Sequence, residues 1–241
     1  MAAPVNPNVS LWKMSTDLKQ YKGALTTSDV VAGMNSAVEN ARRLSEDARI
    51  LFDAGRFASA SSLAALSIEE AGKTSILREL ALAANQEDLK RAWKRYRSHR
   101  SKNTHWILPH LAASGATNLE ELRQIVDPKS DHPTLLDRIK QIGLYTDCLG
   151  KAHWSVPDEV IDEKLAGQLV STAEILSAPK TFTETEINLW KKHIGPVWRG
   201  DMRWMKQALV NWGKEMAAKG LLDDSEKFER FVNEQPKSTD G

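Results

Sequence analysis

Residues 57–84 read FASASSLAALSIEEAGKTSILRELALAA, and this stretch decides the fold. It is apolar on most of its circumference, a pattern that predicts a helix buried on nearly all sides. The short residues Ala58, Ser62 and Ala65 permit neighbouring helices to approach closely. Upstream, Val31, Met34, Ala37, Val38, Ala41, Leu44, Ala48, Leu51 and Phe52 recur in steps of three and four, one buried stripe of a second long helix. Ser28-Asp29 is the expected start of that helix and Asp53-Ala54-Gly55 its end, with Gly55 suited to the cap. Two long helices joined by a tight turn make an antiparallel hairpin.

Downstream, Asn85 is expected to cap a third helix running through KRAWKRYRSHR, with Glu87 and Asp88 in its first turn. Pro109 either breaks the chain or opens a short helix over 109–114. Further helices are predicted over 118–126, 133–144 and 157–176, with residues 145–157 an ordered loop. In that loop Tyr145, Asp147, His153 and Trp154 either floor a pocket or hold the loop to the body. A last long helix from Thr183 to about Lys219 is expected to kink at Gly195-Pro196. Trp190, Trp204 and Trp212 fall on one side of it, as core anchors or as an interface. No segment alternates with period two over a convincing length, so the class is all-α, a helical bundle with additional C-terminal helices. The expected division is an irregular arm over 1–26, a helical domain over 27–180, C-terminal helices over 181–222 packed on it, and a charged tail over 223–241 that frays at least after Gln235. Trp12 and Tyr21 are candidates to pin the arm.

Composition narrows the function. The chain has 241 residues, 41% hydrophobic and 27% charged, a globular balance rather than a disordered one. With 33 basic and 32 acidic residues it is no general polyanion binder, so any electrostatic function comes from local clustering. The single Cys148 excludes an internal disulfide and a cysteine-rich zinc site, and favours a reducing cytoplasm. No apolar run is long enough to span a bilayer, and the start has no secretory pattern.

The basic cluster lies in KRAWKRYRSHRSKNTHWILPH, residues 90–110. Seven cations (Lys90, Arg91, Lys94, Arg95, Arg97, Arg100 and Lys102) accompany His99, His105 and His110, and no acid occurs between Asp88 and Glu120. On a continuous helix Lys90, Lys94 and Arg97 share one face, Arg91, Arg95 and Ser98 another, and Trp93, Tyr96 and Arg100 a third. Such a strip either neutralises RNA phosphates or is simply a solvated face. Arg100 precedes His105 with four residues between, and Arg97 closely precedes His99. A histidine can move the 2′-hydroxyl proton and an arginine can stabilise the charge growing on phosphorus, which is enough for RNA cleavage without metal. The bland reading of either pair is a surface or capping histidine. Glu69 and Glu70 precede Lys73 at helical spacing, either as a surface ion pair or as groups that orient the basic cluster. The histidines lack metal-ligand spacing, and no P-loop, GxGxxG or GxSxG occurs, so neither a metal nor a cofactor is expected.

Together, LFDAGRFASASSLAALSIEEAGKTSIL, YRSHRSKN and KQIGLYTDCLGKAHWSVP resemble the AbiV family of abortive-infection proteins, within the HEPN superfamily. The resemblance runs from about Ser28 to Lys180. It implies a HEPN-type helical bundle, often a homodimer, and a bacterial anti-phage function that shuts down translation. Many HEPN proteins are metal-independent endoribonucleases whose motif is an arginine, four to six residues and a histidine, often with a polar residue after the arginine. Arg100, Ser101 and His105 satisfy that spacing; Arg97, Ser98, His99 and Lys102 match the Arg-Ser-His-x-x-Lys core typical of AbiV-like sequences. Glu69, Glu70, Gly72 and Lys73 match the EE-x-G-K block. The resemblance implies catalytic roles for Arg97, His99, Arg100, Lys102 and His105, with Glu70 and Lys73 orienting them. RNA contacts fall to Lys90, Arg91, Lys94, Arg95 and Asn103. A phage-encoded activator is a further implied partner. The alternative is a non-catalytic module that blocks translation by binding RNA, a ribosome component or a phage protein.

Overall fold

The computed structural model describes residues 19–127 and 129–234. Trp12 and the tail beyond Glu234 lie outside the described residues. The first helix, α1, spans Thr27–Asp53 and α2 spans Phe57–Ala81, and their mutual packing is the most extensive in the molecule. Gly55, at φ 73°, makes the left-handed turn between them. The start of α1 is one step earlier than its sequence suggests. Thr26 is the cap, and Asp29 closes a reciprocal box: Thr26 Oγ1 accepts from the Asp29 amide at 3.1 Å and Asp29 Oδ2 accepts from the Thr26 amide at 3.0 Å. Thr26→Ala is expected to cost about 1 kcal/mol, read as a lower midpoint of urea unfolding at unchanged slope.

Helix α2 forms the centre. Its small residues Ala58, Ala60, Ser61, Ser62, Ala64, Ala65 and Ser67 are all buried. The serine hydroxyls find backbone acceptors: Ser61 and Ser62 donate to the Ala58 carbonyl, and Ser67 donates across to Ala41 in α1 at 2.7 Å. Against α2 pack α3 (Gln86–Arg97), α6 (His132–Leu144) and α8 (Glu163–Leu176). One core cluster joins Ala48, Ala64, Ile68, Leu136 and Leu169; a second joins Met34, Leu77, Leu80, Trp93 and Ile187. The described chain is an all-α bundle, with one short two-stranded hairpin.

Between these helices lie α4 (His99–Lys102), a turn of 3-10 helix over Asn103–His105, α5 (Leu108–Ala113), a 3-10 segment over Glu121–Val126 and α7 (Pro157–Val160). Pro109 therefore sits in the first turn of α5 rather than breaking the chain. The expected helix over 157–176 is divided, because Asp162 is extended and caps α8 at Leu165. The segment 145–157 is not wholly loop: Asp147–Leu149 pairs antiparallel with His153–Ser155, Cys148 opposite Trp154. Tyr145 and Trp154 project into solvent.

The C-terminal region comprises α9 (Glu184–Ile194), α10 (Met202–Ala218) and α11 (Ser225–Asn233). A 3-10 turn over Gly195–Val197 splits the long expected helix. Trp190 and Trp212 meet edge-to-face, whereas Trp204 is 65% exposed and is no core anchor. Within the charged segment after Asp223, helix α11 is well anchored: Asp224 caps it, Val232 is buried, and Phe228 packs on Trp212; the stretch after Gln235 lies outside the described residues.

Residues 19–26 carry no helix, and Trp93 holds them: its Nε1 donates to the Gly23 carbonyl at 3.0 Å and its ring meets Tyr21 edge-on. No helix of the described residues is long and apolar enough to cross a membrane.

Candidate functional site

The basic cluster is built on an elbow, not on one straight helix. Helix α3 stops at Arg97, and Ser98 takes an extended conformation with φ −87° and ψ 120°. Its hydroxyl then accepts from the Ser101 amide at 3.3 Å and caps α4. The competition is local: a serine side chain that satisfies a backbone donor favours a new helix start over continuation of the old one. The face expected to unite Trp93, Tyr96 and Arg100 is therefore broken. The two rings still meet edge-to-face with centroids 5.4 Å apart, while Arg100 leaves in another direction. Gly72 sets how closely α4 lies on α2, since a Cβ there would overlap the Lys102 carbonyl.

On one side of the elbow stands a buried charge cluster. Glu69 is 2% exposed. It accepts from His99 Nδ1 at 2.6 Å and from Lys140 Nζ at 2.5 Å, and Lys102 Nζ lies 3.4 Å away. Lys140 also pairs with Asp137 at 2.8 Å. Burial pushes the Glu69 carboxyl up, but hydrogen bonds from Lys140 and His99 and the charges of Lys140 and Lys102 outweigh it, holding the group below its ordinary 4.5. Burial pulls Lys140 down, and the bonds to Asp137 and Glu69 reverse that, raising it above 10.5. The His99 ring, otherwise exposed, is thus fixed through Nδ1.

On another side is a cleft of about 660 Å3. Arg100 and His105 both line it, with Ser98, Ser101 and Thr104 from the elbow, Glu79 and Arg95 from α2 and α3, and Trp198. His105 Nδ1 lies 3.2 Å from Thr104 Oγ1, and no hydrogen bond engages its Nε2 among the described residues. Burial, then the charges of Arg95, Arg78 and His132, push the His105 imidazole below its ordinary 6.5, so it is neutral at neutral pH. Arg100 is exposed and has no acidic partner among the described residues, whereas Arg95 is tied to Glu79 at 2.5 Å. Trp198 arrives on a strained loop. The next residue, Arg199, has φ 64°, a rare conformation for a non-glycine residue, and is held by ion pairs to Glu79 and Asp88.

The remaining basic residues separate. Arg97 donates to the Tyr21 carbonyl at 2.5 Å and stacks on Trp93, so it faces away from the cleft. Arg91 pairs with Glu87 and Asp88. Lys90 and Lys94 are exposed and make no ion pair among the described residues. Asn103 is fully buried and donates to the Pro133 carbonyl at 3.2 Å. Glu70 and Lys73 hold each other at 2.5 Å, with Lys73 over the Tyr96 ring. The neighbouring Glu69 makes the contacts to His99 and Lys102, and its signal was a charge inside an apolar helix. Lys140 and Asp137 gave no local signal, because only the folded chain brings them to the elbow; Trp198, in sequence a core anchor or an interface residue like the other C-terminal tryptophans, reaches the cleft only through the fold.

Among the described residues one group of metal-type ligands occurs: Glu69, His99 and Asp137, mutually within 4.8 Å. The Lys140 ammonium stands among them, 2.5 Å from Glu69, 2.8 Å from Asp137 and 3.3 Å from His99 Nδ1. It already supplies the positive charge these carboxylates require.

An α-helical bundle with arginine and histidine gathered at a capped elbow is of the HEPN-like class. Residues 29–178 match the HEPN_AbiV family model, described as AbiV, and the chain belongs to this family of HEPN-domain abortive-infection proteins. Neither the curated proteins nor the solved structures give a match to the chain. The family match ends before Trp198, so one wall of the cleft comes from outside it.

Proposed function

We propose that this AbiV-family protein is a metal-independent endoribonuclease that cuts RNA in the cytoplasm of a phage-infected cell and so shuts down translation. The observation that carries the reading is that Arg100 and His105, five apart in sequence, line one cleft. The 2′-oxygen of the RNA attacks phosphorus as neutral His105 takes its proton, and the bond to the 5′-oxygen breaks. Arg100 stabilises the charge on the non-bridging oxygens. The 5′-oxygen takes up a proton, leaving a 2′,3′-cyclic phosphate and a 5′-hydroxyl. Solvent water supplies that proton. Trp198 offers a flat face for a base. Activation by a phage component accounts for restraint in healthy cells.

The test is RNA cleavage by purified protein in excess EDTA, with the chain ends of the products identified. His105→Ala is expected to lower the rate by about 10²–10⁴-fold, and Arg100→Ala by about 10²–10³-fold. Because burial holds His105 below 6.5, kcat/KM is expected to rise with pH to a midpoint below that value and to stay flat through neutrality. Cleavage at the wild-type rate by both variants overturns the assignment. A second reading centres on His99, favoured by its Glu69 partner; loss of cleavage in His99→Ala with retention in His105→Ala selects it. RNA affinity without products selects the non-catalytic alternative.

A further inference from the structure

Beside the cleft, the outer face of α3 and the segment before α1 enclose a groove of about 670 Å3. It is lined by Lys22, Gln86, Lys90, Trp93, Lys94, Arg97 and Ser98. Among the described residues no carboxylate lines it. Lys22, Lys90 and Lys94 are exposed and form no ion pair among the described residues. Arg97 spends its donors on the Tyr21 and Trp93 carbonyls, which leaves its charge unneutralised. The contrast with the same helix's other side is sharp. There Arg91 and Arg95 are neutralised by Glu87, Asp88 and Glu79. Four like charges kept around one depression repel each other and are relieved by a bound polyanion.

Ser98 lines both this groove and the cleft, so the two lie on either side of one residue of the elbow. We propose that the groove is a track for single-stranded RNA, holding the phosphates next to the nucleotide seated between Arg100 and His105. This rests on the RNA-cleaving reading of the cleft and narrows its substrate to an extended strand rather than a free nucleotide. Lys90 to Arg97 covers about 10 Å at ~1.5 Å per helical residue. The groove makes no base-specific hydrogen bonds through its lysines, so affinity there is independent of sequence.

The test uses a fluorescent 2′-O-methyl oligouridine of about twelve nucleotides, which cannot be cut because its 2′-oxygen carries no proton. Its dissociation constant is measured against salt for the full-length wild type, Lys90→Ala/Lys94→Ala and Lys22→Ala. The double variant is expected to bind at least about 10-fold more weakly, with a salt slope shallower by about 1.4, two single-strand phosphate contacts. Both lysines are exposed and make no ion pair among the described residues, so the melting temperature is expected to stay at the wild-type value. Wild-type affinity and slope in the double variant overturn the proposal. So does tight binding of polyglutamate that the oligouridine does not displace, the result for a groove that docks an acidic protein. Since the probe cannot be cleaved, the outcome does not depend on catalysis: RNA binding lost in the double variant supports the track even if the cleft proves inactive.

Discussion

Replacing Glu69 with alanine is expected to destabilise the native chain by about 3–5 kcal/mol, the cost of leaving buried charge without its partner. Lys140 is 4% exposed and Lys102 is 8% exposed. Without Glu69, Lys140 retains Asp137, while Lys102 loses the one ion pair it makes among the described residues. Glu69→Gln keeps an acceptor for His99 and removes only the charge, so its cost is smaller, about 1.5–3 kcal/mol. The pH dependence separates charge from packing. The carboxyl is held below 4.5 in the native state, so its ionised form stabilises the fold fully above that value, and the contribution disappears as pH falls through the lowered native value. Urea unfolding of wild type and Glu69→Gln is therefore expected to differ at neutral pH and to converge as pH falls progressively below 4.5. An equal gap at both pH values shows that the cluster is held by shape alone. Lys140, raised above 10.5, loses its contribution only as pH rises past that value, so it leaves this acid window undisturbed.

Much of the fold was legible from periodicity. The stripe of α1 and the apolar circumference of α2 are physical requirements of burial, and both helices form. What escaped was competition between adjacent elements. Nothing in KRAWKRYRSHR is a strong breaker, and the turn at Ser98 follows from its hydroxyl capping α4. Similarly, the charge of the last segment masked Phe228, Phe231 and Val232, three apolar residues on one side of α11 that pack against α10 and its surroundings. At the site, the spacing of Arg100 and His105 could be read directly, but their separation from Arg97 could not, because it depends on the elbow. The acid that grips His99 is Glu69 rather than Glu70 for a similar reason. One residue is about 100° of helix, and that angle is the difference between the buried face of α2 and its margin.

Gly72→Ala is expected to loosen the elbow itself. The atom in its way is the backbone carbonyl of Lys102, which cannot rotate aside as a side chain can. Overpacking of this kind costs about 1–3 kcal/mol. Removing a helical glycine returns up to about 1 kcal/mol. The clash outweighs the propensity gain, and a net loss of about 2 kcal/mol is expected from urea unfolding. Gly33 in α1 is the matched comparison. A Cβ there meets the Leu77 methyls at 3.5 Å and 3.6 Å, an ordinary contact, so Gly33→Ala is expected to stabilise the chain by about 0.5–1 kcal/mol. The two substitutions make the same covalent change, and their opposite signs isolate the close approach of α4 to α2. Moving Lys102 outward also carries its ammonium from Glu69 and shifts the turn that bears His105. RNA cleavage by Gly72→Ala is therefore expected to fall under conditions where the variant is still folded by circular dichroism, whereas Gly33→Ala retains it. Stabilisation by Gly72→Ala would show that α4 does not rest on α2 at this point, and the packing that holds Glu69, His99 and Lys102 together would have to be redrawn.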